Sequence, residues 1–197
     1  LRLNFQFDLI LVLQPNFDVK YSTLFPIASS LALAKSIKKI LKKNPQVKWP
    51  NDVTINGKKV AGMLVDLTLE SNRIGNLILG VGINFKVDVQ KIEKKLSKDP
   101  NYYGAASILK KTESGNPTDI LQEFFIELEK QMKKLDSGSI KPIIREWTKI
   151  SSTIGKQITV VTEEGKISGK AEKLDNDGAL VLIKNNEPKK ILVGDIR

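Results

Sequence analysis

Hydrophobic positions along this chain switch between two periods. Leu1, Leu3, Phe5 and Phe7 fall at every second residue, and residues 8–14 (DLILVLQ) form a short, nearly continuous apolar run, the pattern of a buried strand. Residues 16–22 carry no period and read as a loop. Over residues 23–43 the spacing becomes helical. Ile27, Leu31, Ala34, Ile37 and Leu41 share one stripe, Pro26 is tolerated in the first turn, and Asn44-Pro45 ends the helix. Period two returns on both sides of Asn56-Gly57 and again over residues 76–85, with a turn expected at Ser71-Asn72. Residues 88–97 form a short helical candidate, and residues 101–115 a loop with one helical turn. A second long helix opens with Asn116 as cap, Pro117 in first position and Asp119 in the first turn. Its expected buried stripe is Leu121, Phe124, Phe125, Leu128, Met132 and Leu135, and Ser137-Gly138 breaks it. A short helix carrying Ile143, Ile144 and Trp147 follows. From Thr153-Ile154-Gly155 onward the period is two, with strands over 156–162, 166–174, 179–184 and 189–193 separated by Glu164-Gly165, residues 176–178 and Asn185-Asn186. The pattern predicts an α+β protein: a mixed or antiparallel sheet with the first helix on one face, then a small SH3-like β-barrel.

Asn56-Gly57 is the strongest short-range hairpin signal, because a two-residue type I′ turn needs positive φ at both central positions. The register that follows pairs Ile55 with Lys58, Thr54 with Lys59, Val53 with Val60, Asp52 with Ala61 and Asn51 with Gly62. Alternation then puts Asp52, Thr54, Lys59 and Ala61 on one face, with Asp52 and Lys59 as diagonal neighbours and Met63, Val65 and Leu67 continuing the row. A lysine at the end of an apolar row is poorly solvated unless an acid or a ligand meets it. Pro50 fixes its own φ and pushes Trp49 into an extended conformation. In NLILGVGINF, residues 76–85, Leu77, Leu79, Val81 and Ile83 share one face and Ile78, Gly80, Gly82 and Asn84 the other. Glycines inside a strand mark close approach by a ligand or another backbone, here a flat floor with a polar group at its end. An ordinary hairpin with a solvated tip and a strand packed tightly under a helix would show the same patterns. GVGIN lacks the third glycine of the dinucleotide fingerprint and the lysine of a P-loop.

Composition narrows the chemistry. The 197 residues contain no cysteine and no histidine. Disulfides, thiol catalysis, thiolate metal sites and the usual general base are therefore excluded, and a reducing compartment such as the cytoplasm fits. What remains is carboxylates, lysines, arginines or a metal on oxygen ligands. No apolar run is long enough to span a bilayer, and the early run has no signal-peptide cleavage site. The net charge of +10 is spread over helical lysines: Lys35, Lys38, Lys39, Lys42 and Lys43, then Lys91, Lys94, Lys95 and Lys98, then Lys130, Lys133 and Lys134. Solvated helix faces account for it, and a basic surface for nucleic acid or an acidic partner is the sharper alternative.

KWPND at residues 48–52, a short hairpin, KVAGMLVD from Lys59 and GVGIN at residues 80–84 together resemble the biotin protein ligase family, the biotin–[acetyl-CoA-carboxylase] ligases. The blocks match in order and spacing, and Lys-Trp-Pro-Asn-Asp with a downstream Lys-x-Ala-Gly is specific where a lone GxGxN is not. AASILKKTESGNPTDILQEFF resembles the family's path from central sheet to last large helix. Ile-Gly-Lys near residue 155 and Gly-Ala-Leu near residue 179 resemble its C-terminal domain. The resemblance implies a class II synthetase-like catalytic domain over residues 1–150 and a C-terminal barrel over 151–197. It implies that ATP and biotin give biotinyl-5′-AMP and pyrophosphate, and that a lysine of a biotin carboxyl-carrier protein then takes the biotin. By the same resemblance Lys59 is the catalytic electrostatic group reaching biotin and the α-phosphate. Gly62, Gly80 and Gly82 let the ligand lie on the sheet, Lys48, Asn51, Asp52 and Asn84 serve ATP, and Asp52 helps hold Mg²⁺ through water. Pairing through the sheet makes a homodimer compatible with this reading.

The sequence departs from the family in one place. No Gly/Arg-rich loop, GRGRxGR-like, precedes the strand at residues 8–14, and the chain opens at Leu1 as if cut, leaving a strand edge exposed. Half of the biotin pocket is therefore expected to be missing and the chain to be inactive as it stands. No helix-turn-helix supports a DNA-binding or repressor role. A lipoate ligase-like acyl-adenylating enzyme and a non-catalytic basic module for nucleic acid or an acidic carrier are the alternatives. The reading frame upstream of Leu1 discriminates among them. Calorimetry on the 197-residue chain is expected to show weak or no biotin binding; tight, near-stoichiometric binding would contradict the missing-pocket expectation.

Overall fold

In a computed structural model, residues 5–70, 73–89, 93 and 103–196 are described. The most buried element is helix α1 (Phe25–Leu41), apolar on nearly every side, with Phe25, Ile27, Ala28, Leu31, Ala32, Leu33, Ala34 and Ile37 all at 1% exposure or less. Such a helix must be covered all round. Its buried serines are satisfied by back-bonding, Ser29 to Phe25 O and Ser36 to Ala32 O, both at 2.8 Å. The helix begins two residues later than expected, because Val19–Leu24 forms a 3-10 turn where a loop was expected from 16 to 22. It ends at Lys42, whose φ of 55° closes the last turn.

Five strands cover one side of α1: β1 (Phe5–Leu13), β2 (Gln46–Lys48), β3 (Asp52–Ile55), β4 (Lys58–Glu70) and β5 (Arg73–Lys86), in the order β1-β5-β4-β3-β2 and antiparallel throughout. Leu77, Leu79, Val81, Ile83 and Phe85 of β5 and Met63 of β4 face the core, as their alternation predicts. The other side of the sheet is open among the described residues, and Ile10, Val12, Leu64 and Ile78 stand exposed on it. β1 is an edge strand.

The hairpin register holds only at its tip. Ile55 pairs with Lys58 and Thr54 with Lys59, but a bulge then shifts β4 by one residue, so Val53 meets Ala61 and Asp52 meets Gly62. The extra residue, Val60, is fully buried, as is Ala61 at 2%. Core burial of both neighbours drives the bulge, because a regular strand would turn one of them outward. The bulge also separates Lys59 from Met63, Val65 and Leu67, which lie on the core side.

On the far side of α1 lie α2 (Pro117–Asp136) and α3 (Ile140–Lys149). The α2 cap is as expected, Asn116 accepting from the Thr118 amide at 3.0 Å. The stripe is not. Phe125 is 43% exposed, whereas Glu123, Glu127 and Gln131 are buried. The reason is α1: its lysines form pairs with acids from the facing helices and loop. Lys39 meets Glu123 at 2.7 Å, Lys35 meets Glu127 at 3.1 Å and Glu146 at 2.9 Å, and Lys43 meets Glu113 at 2.8 Å. These lysines rim the seam, Lys39 still 60% exposed, so they link the elements from a largely solvated face.

The remaining strands, β6 (Gln157–Thr162), β7 (Gly165–Leu174), β8 (Leu180–Lys184), β9 (Glu187–Ile191) and β10 (Asp195–Ile196), form a second antiparallel sheet in the order β10-β6-β7-β8-β9. The two-residue β10 was not foreseen. The protein is thus α+β with a small all-β C-terminal unit. That unit is joined to the first sheet beside β2. The Val47 amide donates to Ile150 O at 3.1 Å, the Trp49 amide to Thr153 Oγ1 at 3.1 Å, and the Trp49 indole to Gly178 O at 3.1 Å. The Trp49-Pro50 peptide is cis, a feature that proline's fixed φ alone did not reveal. The turn at Ser71-Asn72, the lysines Lys91, Lys94, Lys95 and Lys98, the start of the alternating run at Leu1 and Leu3 and most of the helix expected over 88–97 lie outside the described residues. Among the described residues no helix is long and apolar enough to cross a membrane.

Trp49 is 2% exposed and holds both units. Trp49→Ala is expected to lower unfolding stability by about 3–5 kcal/mol, the range for truncating a buried aromatic. Trp49→Phe, which mainly removes the donor to Gly178 O, should cost about 1–2 kcal/mol. Urea denaturation checks both; equal losses would show that the indole hydrogen bond, not the packing, dominates.

Candidate active site

The site grows out of the β3–β4 turn. Asn56 at φ 52° and Gly57 at φ 76° supply the two positive values a type I′ turn needs. Beyond it the bulge sets Asp52 opposite Gly62. The absent side chain at Gly62 leaves the space that Lys59 fills: a Cβ there would lie 2.7 Å from Lys59 Cε and Nζ and 3.0 Å from Asp52 Oδ1. Lys59 Nζ lies 2.5 Å from Asp52 Oδ1. The two residues expected to be diagonal neighbours are in direct contact, although by a different register. The Asp52 side chain is 13% exposed and that of Lys59 43%, so the ammonium is held from below and open above.

Above the pair the open sheet face forms a depression of about 430 Å³, lined among others by Asp8, Ile10, Lys59, Gly62, Leu64, Gly80, Gly82 and Asn84. Ile10, Gly80 and Leu64 are neighbours across three strands. Ile10 is 71% and Leu64 73% exposed, so they stand as apolar walls on either side of a glycine floor. A Cβ at Gly80 would meet nothing nearer than Leu64 O at 3.7 Å, and one at Gly82 would come within 3.2 Å of Asp8 Oδ1. At Gly80 the fold itself does not require glycine.

The segment 103–109 closes one end. The Lys59 amide donates to Gly104 O at 3.0 Å, the Ala106 amide to Lys59 O at 2.8 Å, and the Ile108 amide to Asn84 O at 2.8 Å. This clasp brings in Tyr103, whose hydroxyl donates to Asp52 Oδ2 at 2.7 Å. Burial, then the Asp52 charge, raise the phenol's pKa, so it stays a donor. Lys48 Nζ sits 3.2 Å from the Tyr103 ring centroid and donates to Ile196 O at 3.2 Å. Burial pushes the Lys48 pKa down to about 8, Asp52 and Asp195 opposing the shift and Lys59 adding to it.

The structure therefore brings Lys48, Asp52 and Lys59 together at one end of the floor formed by Gly62, Gly80 and Gly82, with Asn84 lining the same depression. Asn51 stands apart. Its amide donates to Met63 O at 2.5 Å and its carbonyl accepts the Met63 amide at 3.0 Å, so it holds β4. The magnesium role expected of Asp52 is one held through water. Oδ1 is taken by Lys59 and Oδ2 by Tyr103, and no group of three carboxylates occurs among the described residues. Tyr103 was missed because nothing in NYYG marks a residue whose partner is 51 positions away.

The Biotin/lipoate A/B protein ligase family matches residues 9–84, and the Biotin protein ligase C terminal domain matches residues 153–197. The bifunctional ligase/repressor BirA of Bacillus subtilis is 27% identical over 186 residues, covering 94% of this chain and 56% of that protein. The biotin–[acetyl-CoA-carboxylase] ligase of Paracoccus denitrificans is 28% identical over 143 residues, covering 69% and 55%. The chain thus spans little more than half the length of these curated relatives. Biotin protein ligase from Aquifex aeolicus in complex with biotin and ATP superposes with a TM-score of 0.76 at 22% identity, covering 98% of this chain and 77% of that one, a likeness of fold. With one match on the glycine-floored sheet and the other on the C-terminal sheet, the chain carries a Biotin/lipoate A/B protein ligase domain followed by a Biotin protein ligase C-terminal domain.

Proposed function

We propose that this chain carries the adenylation face of a biotin protein ligase, with residues 1–150 as the catalytic part and 151–197 as its C-terminal domain. The observation behind this reading is the Lys59 ammonium, anchored by Asp52 over Gly62 and open toward a glycine floor with apolar walls. The two domain matches and the biotin- and ATP-bound state of the Aquifex aeolicus relative support it.

In the first step a carboxylate oxygen of biotin attacks the α-phosphorus of ATP. The bond to the bridging oxygen breaks, pyrophosphate leaves, and biotinyl-5′-AMP remains. Negative charge builds on the α-phosphoryl oxygens, and a preorganised cation beside them lowers the barrier with no proton transfer of its own. Lys59 is that cation. A histidine-free chain suffices, since such transfer needs positioning and charge rather than a covalent partner. In the second step the ε-amine of a lysine on a biotin carboxyl-carrier protein attacks the acyl carbon, and AMP leaves. Gly62, Gly80 and Gly82 bring the ligand against the backbone. Lys48 adds positive charge for the phosphates, Asn84 serves the adenine end, and Asn51 acts through the β4 backbone it holds. A biotin-dependent carboxylase supplies the carrier, and the cytoplasm is the compartment this reading implies.

In the full-length product of this reading frame, pyrophosphate release from ATP is expected only when biotin is present. Lys59→Ala should lower it by about 10²–10³-fold, the range for removing one oxyanion-stabilising group; unchanged turnover would sink the assignment. Gly80→Ala should leave the melting temperature within about 2 °C, because its Cβ meets only open space and ordinary contacts. Biotinyl-adenylate binding should nevertheless weaken in that variant, and unimpaired binding would remove the ligand from the floor. Lys48, with a pKa of about 8, is mostly charged at pH 7 and mostly neutral at pH 9. Affinity for ATP should therefore fall as pH rises through 8, and Lys48→Met should flatten that dependence in a pH series of binding isotherms.

A further inference from the structure

We infer that Tyr103 is a positioning residue of this site, acting on Lys59 through Asp52 and on Lys48 through its ring; the functional half of this inference rests on the ligase reading above.

A lysine ammonium on a four-carbon stem has many rotamers, and one that is 43% exposed keeps them unless a partner selects one. Asp52 Oδ1 is the partner here. An aspartate carboxylate is itself loosely held, because its terminal torsion is broad. A single contact from Lys59 would let the pair swing together. Tyr103 takes the second oxygen, Oδ2, at 2.7 Å, and the carboxylate is then held at both ends.

The tyrosine is fixed in turn by the backbone it helps. Gly104, the next residue, accepts the Lys59 amide at 3.0 Å, and Ala106 donates to Lys59 O at 2.8 Å. The hydroxyl that holds Asp52 and the backbone that carries Lys59 thus belong to one short ladder. Gly104 adopts φ +100°, a conformation that side-chain-bearing residues rarely take, so the glycine after Tyr103 is required for the segment to turn. The Tyr103 ring also lies under the Lys48 ammonium at 3.2 Å from its centroid, a cation–π contact in a half-buried setting. Lys48 reaches Ile196 O of the C-terminal unit as well. One side chain therefore meets Lys48 directly and Lys59 through Asp52, and Lys48 in turn reaches the strand Asp195–Ile196.

Tyr103→Phe separates the two contacts, since the ring stays under Lys48 while Asp52 Oδ2 loses its donor. In the full-length protein, kcat for biotin-dependent pyrophosphate release should fall roughly 10- to 100-fold, the range carried by a hydrogen bond to a charged group. KM for biotin and for ATP should change less than about twofold and the melting temperature little, because no ligand contact and little packing is lost. Asp52→Asn together with Tyr103→Phe should be no slower than Asp52→Asn alone, because both act on one carboxylate. Additive losses, or a Tyr103→Phe enzyme as fast as the parent, would overturn the inference. An activity-independent measurement uses the 197-residue chain. The ¹⁵N-ammonium signal of Lys59 should lose order and exchange hydrogen faster in Tyr103→Phe than in the parent. If the parent enzyme shows no biotin-dependent release, the ligase reading falls and this ammonium measurement alone decides the positioning role; an unchanged signal would overturn it.

Discussion

The contact between Lys59 and Asp52 across Gly62 is the constraint around which the first sheet is arranged. It needs a carboxylate and an ammonium on adjacent strands, a missing side chain between them and one face left open. The bulge at Val60 supplies the geometry by moving Lys59 off the core side of β4 and setting Gly62 opposite Asp52. The core supplies the force, because Val60 and Ala61 are both drawn inward. A half-buried ion pair of this kind is weak evidence for stability, since desolvation offsets much of the attraction. Its value lies in holding a flexible cation at one place.

The same economy runs through the helical layer. α1 is apolar enough to sit between the sheet and two helices, yet it carries Lys35 and Lys39 toward its C-terminal end, with Lys43 just beyond it. Their partners Glu127, Glu146, Glu123 and Glu113 come from α2, α3 and the loop before α2. Cations in a last turn also complement the helix dipole. These pairs fix where three of the lysines point, while the net charge of +10, which already counts their glutamate partners, stays on the molecule. Lys48 and Lys59 differ from these lysines. They share one nearby carboxylate, Asp52, and burial depresses the Lys48 pKa.

The C-terminal unit is more than an appendage. Trp49 and Lys48 lie in the strand segment leading into β3, and both are held by it, through Gly178 O, Thr153 Oγ1 and Ile196 O. Lys48, which feels the charges of Asp52 and Lys59, is thus supported from the second sheet. The two separately matched segments meet through these contacts.

Much of this was legible in the one-dimensional pattern. The periods of α1, α2 and β5, the Asn116-Pro117 start, the Asn56-Gly57 turn and the glycine face of GVGIN depend on near neighbours in sequence, and local physics determines them. The KWPND, KVAG and GVGIN blocks carried the family for the same reason, being short and contiguous. Tertiary structure alone decided the rest. The register beyond Thr54 depended on which of two adjacent apolar residues the core would take. The exposure of Phe125 and the burial of Glu123 depended on lysines from a helix about 80 residues earlier. Asn51 went to a backbone carbonyl, and Tyr103 reached Asp52, through contacts whose partners no local pattern names. The sequence by itself determined which residues could form the floor and the cation above it. The packing of α1 and the clasp of residues 103–109 decided where that cation points, because direction is set by partners distant along the chain.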